Sequence, residues 1–327
     1  MKKKGGNKKG GKKNRASIQQ DPEDNGVSKM QATTSQPPVS PTVAKSAPSA
    51  REEVKKWAAR ALDKGIQGLR EEFGELKRYC PPDMQITTFQ AHWDAGRNRY
   101  KDVPCQEKFR PLDCTITDFW HMVVQEETET VIMLCNIKEK GMDKCAQYWP
   151  LEEKEVKTYG DVEVTNTFIR PLNADEPNIR LSILSVKWKE DGKEKTREVR
   201  HYQWIDWPDR GVPPCKLTAM ALLSTVRGTK KPIVVHCSAG IGRTGSIVAI
   251  EFILERLQQG IPCEAMDEIL KELRSQRPYS IQTDLQYLYV HRVMLFYFFE
   301  KYKVAVAAED LQAKYKKFVE DYEKATA

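Results

Sequence analysis

The chain has 327 residues and a formal charge of +7, a length that suits one large domain or two small ones. Residues 1–15 carry seven lysines, one arginine and no acid, which leaves the rest of the chain at −1 and excludes a globally basic, nucleic-acid-binding body. Eight cysteines show no Cys-x-x-Cys pair and no zinc-like Cys/His spacing, and no uncharged apolar run reaches membrane-spanning length.

Residues 1–15 are dominated by Lys, Gly and Asn, and 16–50 are rich in Ser, Thr, Pro, Gln and Ala. Such composition buries too little surface to offset chain entropy, so 1–50 reads as a disordered tail. Its basic block reads first as a solubilising tail, with nuclear targeting, attraction to acidic surfaces and nonspecific nucleic-acid contact as the alternatives. The N-terminal lysines precede no apolar core, so no secretory signal is expected; with the scattered cysteines, this points to a reducing, cytoplasmic setting. Trp57, Ala61, Ile66, Leu69, Phe73 and Leu76 fall near helical spacing, and Pro81-Pro82 stops that helix. Phe119 to Val124 reads as a second helix and Val131 to Cys135 as a buried strand. Val162 to Ile169 and Ile179 to Trp188 alternate as strands, and Asp191-Gly192 turns the chain into a hairpin partner, Thr196 to Trp204. Ile233-Val234-Val235 reads as another buried strand. Ile247, Ile250, Ile253, Leu254 and Leu257 share a helix face, as do Leu311, Tyr315, Phe318, Val319 and Tyr322 in a last amphipathic helix over 304–327. The fold class is α/β: a twisted mixed sheet with helices on both faces.

Between the strand ending at Val235 and the helix that follows lies His236-Cys237-Ser238-Ala239-Gly240-Ile241-Gly242-Arg243-Thr244-Gly245. A strand, a glycine-punctuated loop and a helix N-terminus make an anion cradle, with loop amides turned to one centre. A thiol at its start is a nucleophile, and a guanidinium six residues on is a bidentate oxyanion clamp. Helix dipoles and nearby cations bring cysteine thiols into the range of about 3.5–7.5, so Cys237 would attack as a thiolate. The other cysteines read as buried and inert.

This loop resembles the phosphate-binding loop of the classical, tyrosine-specific, non-receptor type of cysteine-dependent protein tyrosine phosphatase. Other segments carry the resemblance in order over roughly residues 54–302. Asn98-Arg99-Tyr100-Lys101-Asp102-Val103 looks like the phosphotyrosine-recognition loop. Glu139-Lys140-Gly141 with Lys144 to Pro150 looks like the glutamate loop and a following strand. Trp207-Pro208-Asp209-Arg210-Gly211-Val212-Pro213 looks like the mobile acid loop, and Ile281-Gln282-Thr283-Asp284-Leu285-Gln286 like the glutamine loop. The resemblance implies a catalytic domain over 51–303 that hydrolyses phosphotyrosine in proteins through a phosphocysteine intermediate. Cys237 would be the nucleophile, and Ser238, Ala239, Gly240, Ile241, Gly242 and Arg243 the phosphate site. Asp209 would protonate the tyrosine leaving group, whose ordinary value is about 10, for a gain of about 10²–10⁴-fold. Gln282 would orient water and Thr244 would help the thiolate leave. Tyr100, Asp102, Val103 and Gln286 would bind substrate, while His236, Trp207, Glu139 and Lys144 would support the site, Glu139 orienting Arg243. No metal and no cofactor is called for, because amides and Arg243 neutralise the phosphate. His92, His121, His201 and His291 read as surface or packing residues.

Two departures stand out. Arg210 occupies the place where the family has an aromatic residue. Between 105 and 111 the chain runs from Cys105 through Gln106 to Arg110 into Pro111-Leu112-Asp113, without the family's Asp-Tyr-Ile-Asn-Ala-Asn strand and Gln-Gly-Pro-Leu turn. The domain is therefore expected to lack core strands, at about 1–3 kcal/mol for each polar group left unpaired. The alternative to an active enzyme is a catalytically impaired phosphotyrosine-binding form or inactive splice form. A dual-specificity phosphatase is disfavoured by Tyr100 and its Asn-Arg-Tyr context, and a nucleic-acid adaptor has no support outside the tail.

Overall fold

A computed structural model describes residues 48–76, 79–82, 84, 86–92, 95–100, 102–104, 111–301, 303 and 309–327. The expected disordered tail and the expected strand loss fall on residues 1–47 and 105–110, outside the described residues. Pro48 to Ala50, assigned to the tail from composition, already belong to helix α1 (Pro48–Leu76). Val54, Trp57, Ala58, Ala61, Leu69 and Phe73 of α1 are buried, as the helical spacing requires. The helix is not continuous: Gly65 sits at φ 59°, ψ −173°, a kink that a residue without Cβ adopts cheaply.

A short helix α2 (Thr87–Ala91) and a 3₁₀ turn (Asp113–Thr115) lead to α3 (Ile116–Gln125), which buries Phe119, Trp120 and Val123. Eight strands follow in part: β1 (Thr130–Met133), the two-residue pair β2 (Lys138–Glu139) and β3 (Met142–Asp143), β4 (Val156–Tyr159), β5 (Val162–Pro171), β6 (Ile179–Glu190) and β7 (Lys193–Trp204), with β8 (Ile233–His236) after helix α4 (Thr218–Val226). The main sheet runs β4-β5-β6-β7-β1-β8. Strands β4 to β7 are an antiparallel meander, whereas β1 pairs parallel with both β7 and β8. The predicted hairpin turn holds: Asp191 and Gly192 both take positive φ, at 50° and 74°, which matches the twist of the flanking strands.

Strand β1 is buried at all four residues, as a parallel strand between neighbours should be. The expectation that Ile233 to Val235 are buried needs correction. They form the strand, but each is half-buried, because among the described residues β8 has a strand partner, β1, on one side only. Lys144 to Pro150 also differ from expectation, forming a loop rather than a strand.

Helices α5 (Arg243–Gln258), α6 (Met266–Gln276), α7 (Asp284–Phe296) with a terminal π turn (Tyr297–Lys301), and α8 (Glu309–Thr326) complete the chain. Ile247, Ile250, Ile253, Leu254 and Leu257 of α5 are all buried. Tyr315, Phe318 and Tyr322 of α8 enter the same core, and the Arg292 guanidinium of α7 lies over the rings of Tyr315 and Tyr322. No described helix is long and apolar enough to cross a membrane.

Candidate active site

The loop between β8 and α5 is shaped by what holds its carbonyls. The Arg277 guanidinium donates to the carbonyls of Ala239 at 3.0 Å and Gly240 at 3.3 Å, and to Pro104 at 3.0 Å. A peptide's N–H points opposite its C=O, so the amides of Gly240 and Ile241 turn the other way. The Gly240 amide indeed donates to Cys237 Sγ at 3.2 Å. Gly242 caps α5 without a side-chain bond, which leaves the first helix amides for an anion. Gly245 permits a second close approach: a Cβ there would lie 2.4 Å from the Ile281 amide nitrogen. That amide donates to the Ile241 carbonyl at 2.9 Å and so ties the glutamine loop to the phosphate loop.

Arg243 is 2% exposed. Nη1 donates to Glu139 Oε1 at 2.6 Å and to the Trp207 carbonyl at 2.9 Å; Nη2 donates to Glu139 Oε2 at 2.9 Å and reaches Asp209 Oδ1 at 3.4 Å. Burial opposes its charge, but the Glu139 hydrogen bonds and the neighbouring Cys237 outweigh that and hold the guanidinium above its ordinary value. Glu139 is itself fixed by the Asn136 amide at 3.0 Å.

Asp209 stands across the cavity, with Oδ2 accepting from Lys144 Nζ at 2.7 Å. Burial pushes its carboxyl up, but the Lys144 hydrogen bond and the charges of Arg243, Lys144 and Arg210 prevail and hold it below the usual carboxylate value. The next residue, Arg210, has φ 60°, and its carbonyl accepts from Thr283 Oγ1 at 3.3 Å. Lys140, Tyr279 and Ile281 share positive φ around the same site. For β-branched Ile281 this is a strained conformation, stabilised by Arg274, which donates to the carbonyls of Ser280 at 3.1 Å and Ile281 at 3.3 Å.

These elements enclose a cavity of about 580 Å³. Cys237, Ser238, Ala239, Gly242, Arg243, Asp209, Lys144, Gln282, Gln286, Tyr100, Asp102 and Val103 all line it. Tyr100 Oη lies 2.9 Å from Ser238 Oγ, so the recognition segment touches the phosphate loop directly. Gln286 is 1% exposed, and its Oε1 accepts from the amides of Gln282 at 3.0 Å and Thr283 at 3.3 Å. Its carboxamide therefore braces Gln282. Glu139, Trp207, His236 and Thr244 stand behind the lining, and the buried Thr244 hydroxyl has no hydrogen-bond partner among the described residues. Trp207 is pinned by its own Nε1 donating to the Gly211 carbonyl at 3.1 Å.

Sequence reasoning missed three side chains here. Arg277 shapes the loop, and Tyr148 and His201 form a buried chain with His236. The spacing that exposes Cys237 and Arg243 is local. Arg277 reaches Ala239 across 38 positions, Tyr148 reaches His236 across 88, and His201 reaches Tyr148 across 53, so no local spacing brings these side chains to the loop. Among the histidines read as surface or packing residues, His121 is exposed beside Asp161, and His291 is buried and stacked on Trp57.

A family model described as protein-tyrosine phosphatase matches residues 109–296. The chain is 37% identical over 189 residues to a tyrosine-protein phosphatase Lar-like of Caenorhabditis elegans, a match covering 57% of this chain and 8% of that protein. It is 29% identical over 301 residues to the tyrosine-protein phosphatase non-receptor type 9 of Homo sapiens, covering 76% of this chain and 49% of that one. The chain thus spans less than half the length of these curated relatives. Among solved structures, PTPN18 in complex with HER2 phosphopeptides aligns with a TM-score of 0.57 at 25% identity, over 70% of this chain and 99% of that one. A second PTPN18 structure aligns with a TM-score of 0.62 over 76% of this chain.

Proposed function

The chain belongs to the protein-tyrosine phosphatase family, and on that premise we propose that it hydrolyses phosphotyrosine in proteins through a phosphocysteine intermediate. The observation that carries this reading is convergence: Cys237, Arg243 and Asp209 line one cavity, with Arg243 and Asp209 3.4 Å apart. A guanidinium has five N–H donors. Glu139 and Trp207 take three of those of Arg243. The remaining two, on Nε and on the Nη2 edge now facing Asp209, form a fork for two phosphoryl oxygens.

Phosphate entry then changes Asp209. The dianion takes Arg243 away from the carboxylate and adds negative charge beside it, and both effects raise its affinity for a proton. Cys237 Sγ attacks phosphorus in line while the P–O bond to tyrosine breaks, and Asp209 protonates the departing phenolate. Asp209, now ionised, takes a proton from a water oriented by Gln282. The water oxygen bonds to phosphorus, the S–P bond breaks, and the Thr244 hydroxyl donates to the leaving thiolate. Loop amides and Arg243 carry the charge of the transferring group throughout.

Substrate depth follows from Tyr100, whose ring lines the cavity and admits a long phenyl phosphate to Cys237. PTPN18 with HER2 phosphopeptides supports the substrate class. We place the catalytic domain over 48–303, from the start of α1, and the protein in the cytoplasm, with the basic segment that precedes it contacting acidic surfaces. The test is hydrolysis of a phosphotyrosine peptide by the parent, Cys237→Ser and Asp209→Ala, each with a thermal melt. The parent should turn over, Cys237→Ser should not, and Asp209→Ala should lose about 10²–10⁴-fold in kcat. A folded parent no faster than Cys237→Ser, yet able to bind the peptide, identifies a phosphotyrosine-binding protein instead.

A further inference from the structure

A hydrogen-bond chain joins the phosphate loop to the middle of β7. The Tyr148 hydroxyl lies 2.7 Å from Nε2 of His236, the residue before the nucleophile, and 2.7 Å from Nε2 of His201. Tyr148 is fully buried and His201 is 1% exposed, with the Trp149 ring stacked on the imidazole at 4.5 Å. A phenol carries one proton and can give it to only one of two imidazoles. The nitrogen facing the phenol's lone pairs must then bring a proton of its own, since two acceptors at that distance repel. The protonation of His201 and His236 is thus coupled through one hydroxyl.

The surroundings decide which ring holds an extra proton. Burial holds His201 neutral, down to about 3, and the neighbouring His236 and then the positive charge of Arg180 work in the same direction. His236 instead adjoins Cys237, where an anion is needed. The other ionisable groups around the chain are the Cys135 and Cys145 thiols and Tyr159 near Tyr148, and Arg243 with Glu139 beside Cys237. The hydrogen bond from Cys145, with burial, keeps the Cys135 thiol protonated well above neutrality, so it does not compete.

Resting on the phosphatase reading above, we propose that His201 is a positioning residue. By accepting the Tyr148 proton at Nε2, it leaves the phenol oxygen as an acceptor for the Nε2–H of His236, and so favours a cationic imidazole next to the Cys237 thiolate. Without that acceptor the Tyr148 proton swings to His236 Nε2. His236 is then held as a neutral imidazole protonated on Nδ1, and the thiolate loses a neighbouring charge.

The test follows alkylation of Cys237 by iodoacetamide against pH in the full chain, read by mass spectrometry of the Cys237 peptide, with ring ¹⁵N spectra of His236 alongside. This readout needs no turnover. His201→Phe keeps the ring stacked on Trp149 but removes the acceptor. Its alkylation midpoint should rise by about half to one pH unit, a loss of about three- to tenfold in rate below the midpoint. His201→Gln, whose carboxamide oxygen reaches the Nε2 position, should stay within about twofold of the parent. Tyr148→Phe should shift the midpoint as far as His201→Phe, and the double variant no further. A folded His201→Phe with the parental midpoint, or additive shifts in the double variant, overturns the proposal. Should His201→Phe not fold, Tyr148→Phe against His201→Gln decides: a parental midpoint in Tyr148→Phe overturns it equally. A parent whose Cys237 reacts at low pH no faster than a free thiol sinks the nucleophile reading itself, which is a different result from a normal parent with indifferent variants.

Discussion

Arg277 shows how one side chain outside any motif can set the geometry of a loop. It holds three carbonyls at once, two in the phosphate loop and one at Pro104, just after the recognition segment. Three acceptors in a fan suit a planar guanidinium and not a single ammonium point charge. Arg277→Ala should therefore release the loop carbonyls and lower kcat by on the order of 10²-fold, the cost of misplacing reacting groups by about 1 Å. Arg277→Lys should recover little of it in steady-state assays on a phosphotyrosine peptide. Full activity in Arg277→Lys would show that charge alone suffices. Residues of this kind are illegible in the sequence. Cys237 and Arg243 could be paired because they lie six positions apart in a tight loop, whereas Arg277 follows a helix that says nothing of where its side chain goes. Gln286 was legible as a site residue, but its burial and its bonds to the Gln282 and Thr283 amides were not.

Elements were readable where periodicity has one cause. The helix face of α5 follows directly from apolar residues three and four positions apart, and the hairpin of β6 and β7 from alternation and an Asp-Gly turn. Two features were not readable. An apolar run of Ile and Val looks the same in a central and an edge strand, so the half-burial of β8 depends on the sheet order and not on composition. The kink in α1 hides at Gly65, because the apolar residues before and after it each keep helical spacing. Glycines at two elements make a paired prediction. Gly245→Ala forces a Cβ to within 2.4 Å of the Ile281 backbone, so α5 or the glutamine loop must move. It should cost about 1–3 kcal/mol of stability and depress phosphotyrosine hydrolysis as well. Gly65→Ala meets open space but a positive φ, so it should cost about 1–2 kcal/mol and leave turnover intact. Urea unfolding with peptide kinetics separates the two; equal effects on activity would contradict the tie between α5 and the glutamine loop.

The whole molecule carries a predictable acid lability. Burial lowers His201 to about 3 and His291 to about 4. A histidine harder to protonate when folded contributes stability that is complete above its unfolded value near 6.5 and is lost as pH falls toward the folded value. Each such group gives a slope of about 1.4 kcal/mol per pH unit inside that window. Glu176 acts the other way, because burial raises its carboxyl, but it is one group against two. The carboxylates held low, such as Glu72 and Asp209, add to the acid loss only at lower pH. Unfolding free energy should therefore drop steadily between about pH 6.5 and pH 4.5. A flat profile there would show that the two histidines are not neutral in the folded chain.

The central claim, a covalent phosphoryl group on sulfur, can be tested by trapping it. Gln282→Ala should slow attack of water more than attack of thiolate, so acid quenching during turnover of a phosphotyrosine peptide should leave one phosphoryl group on the Cys237 peptide by mass spectrometry. Phosphate release from that variant with Cys237 unmodified at every time point, or with the label on another residue, would contradict the account.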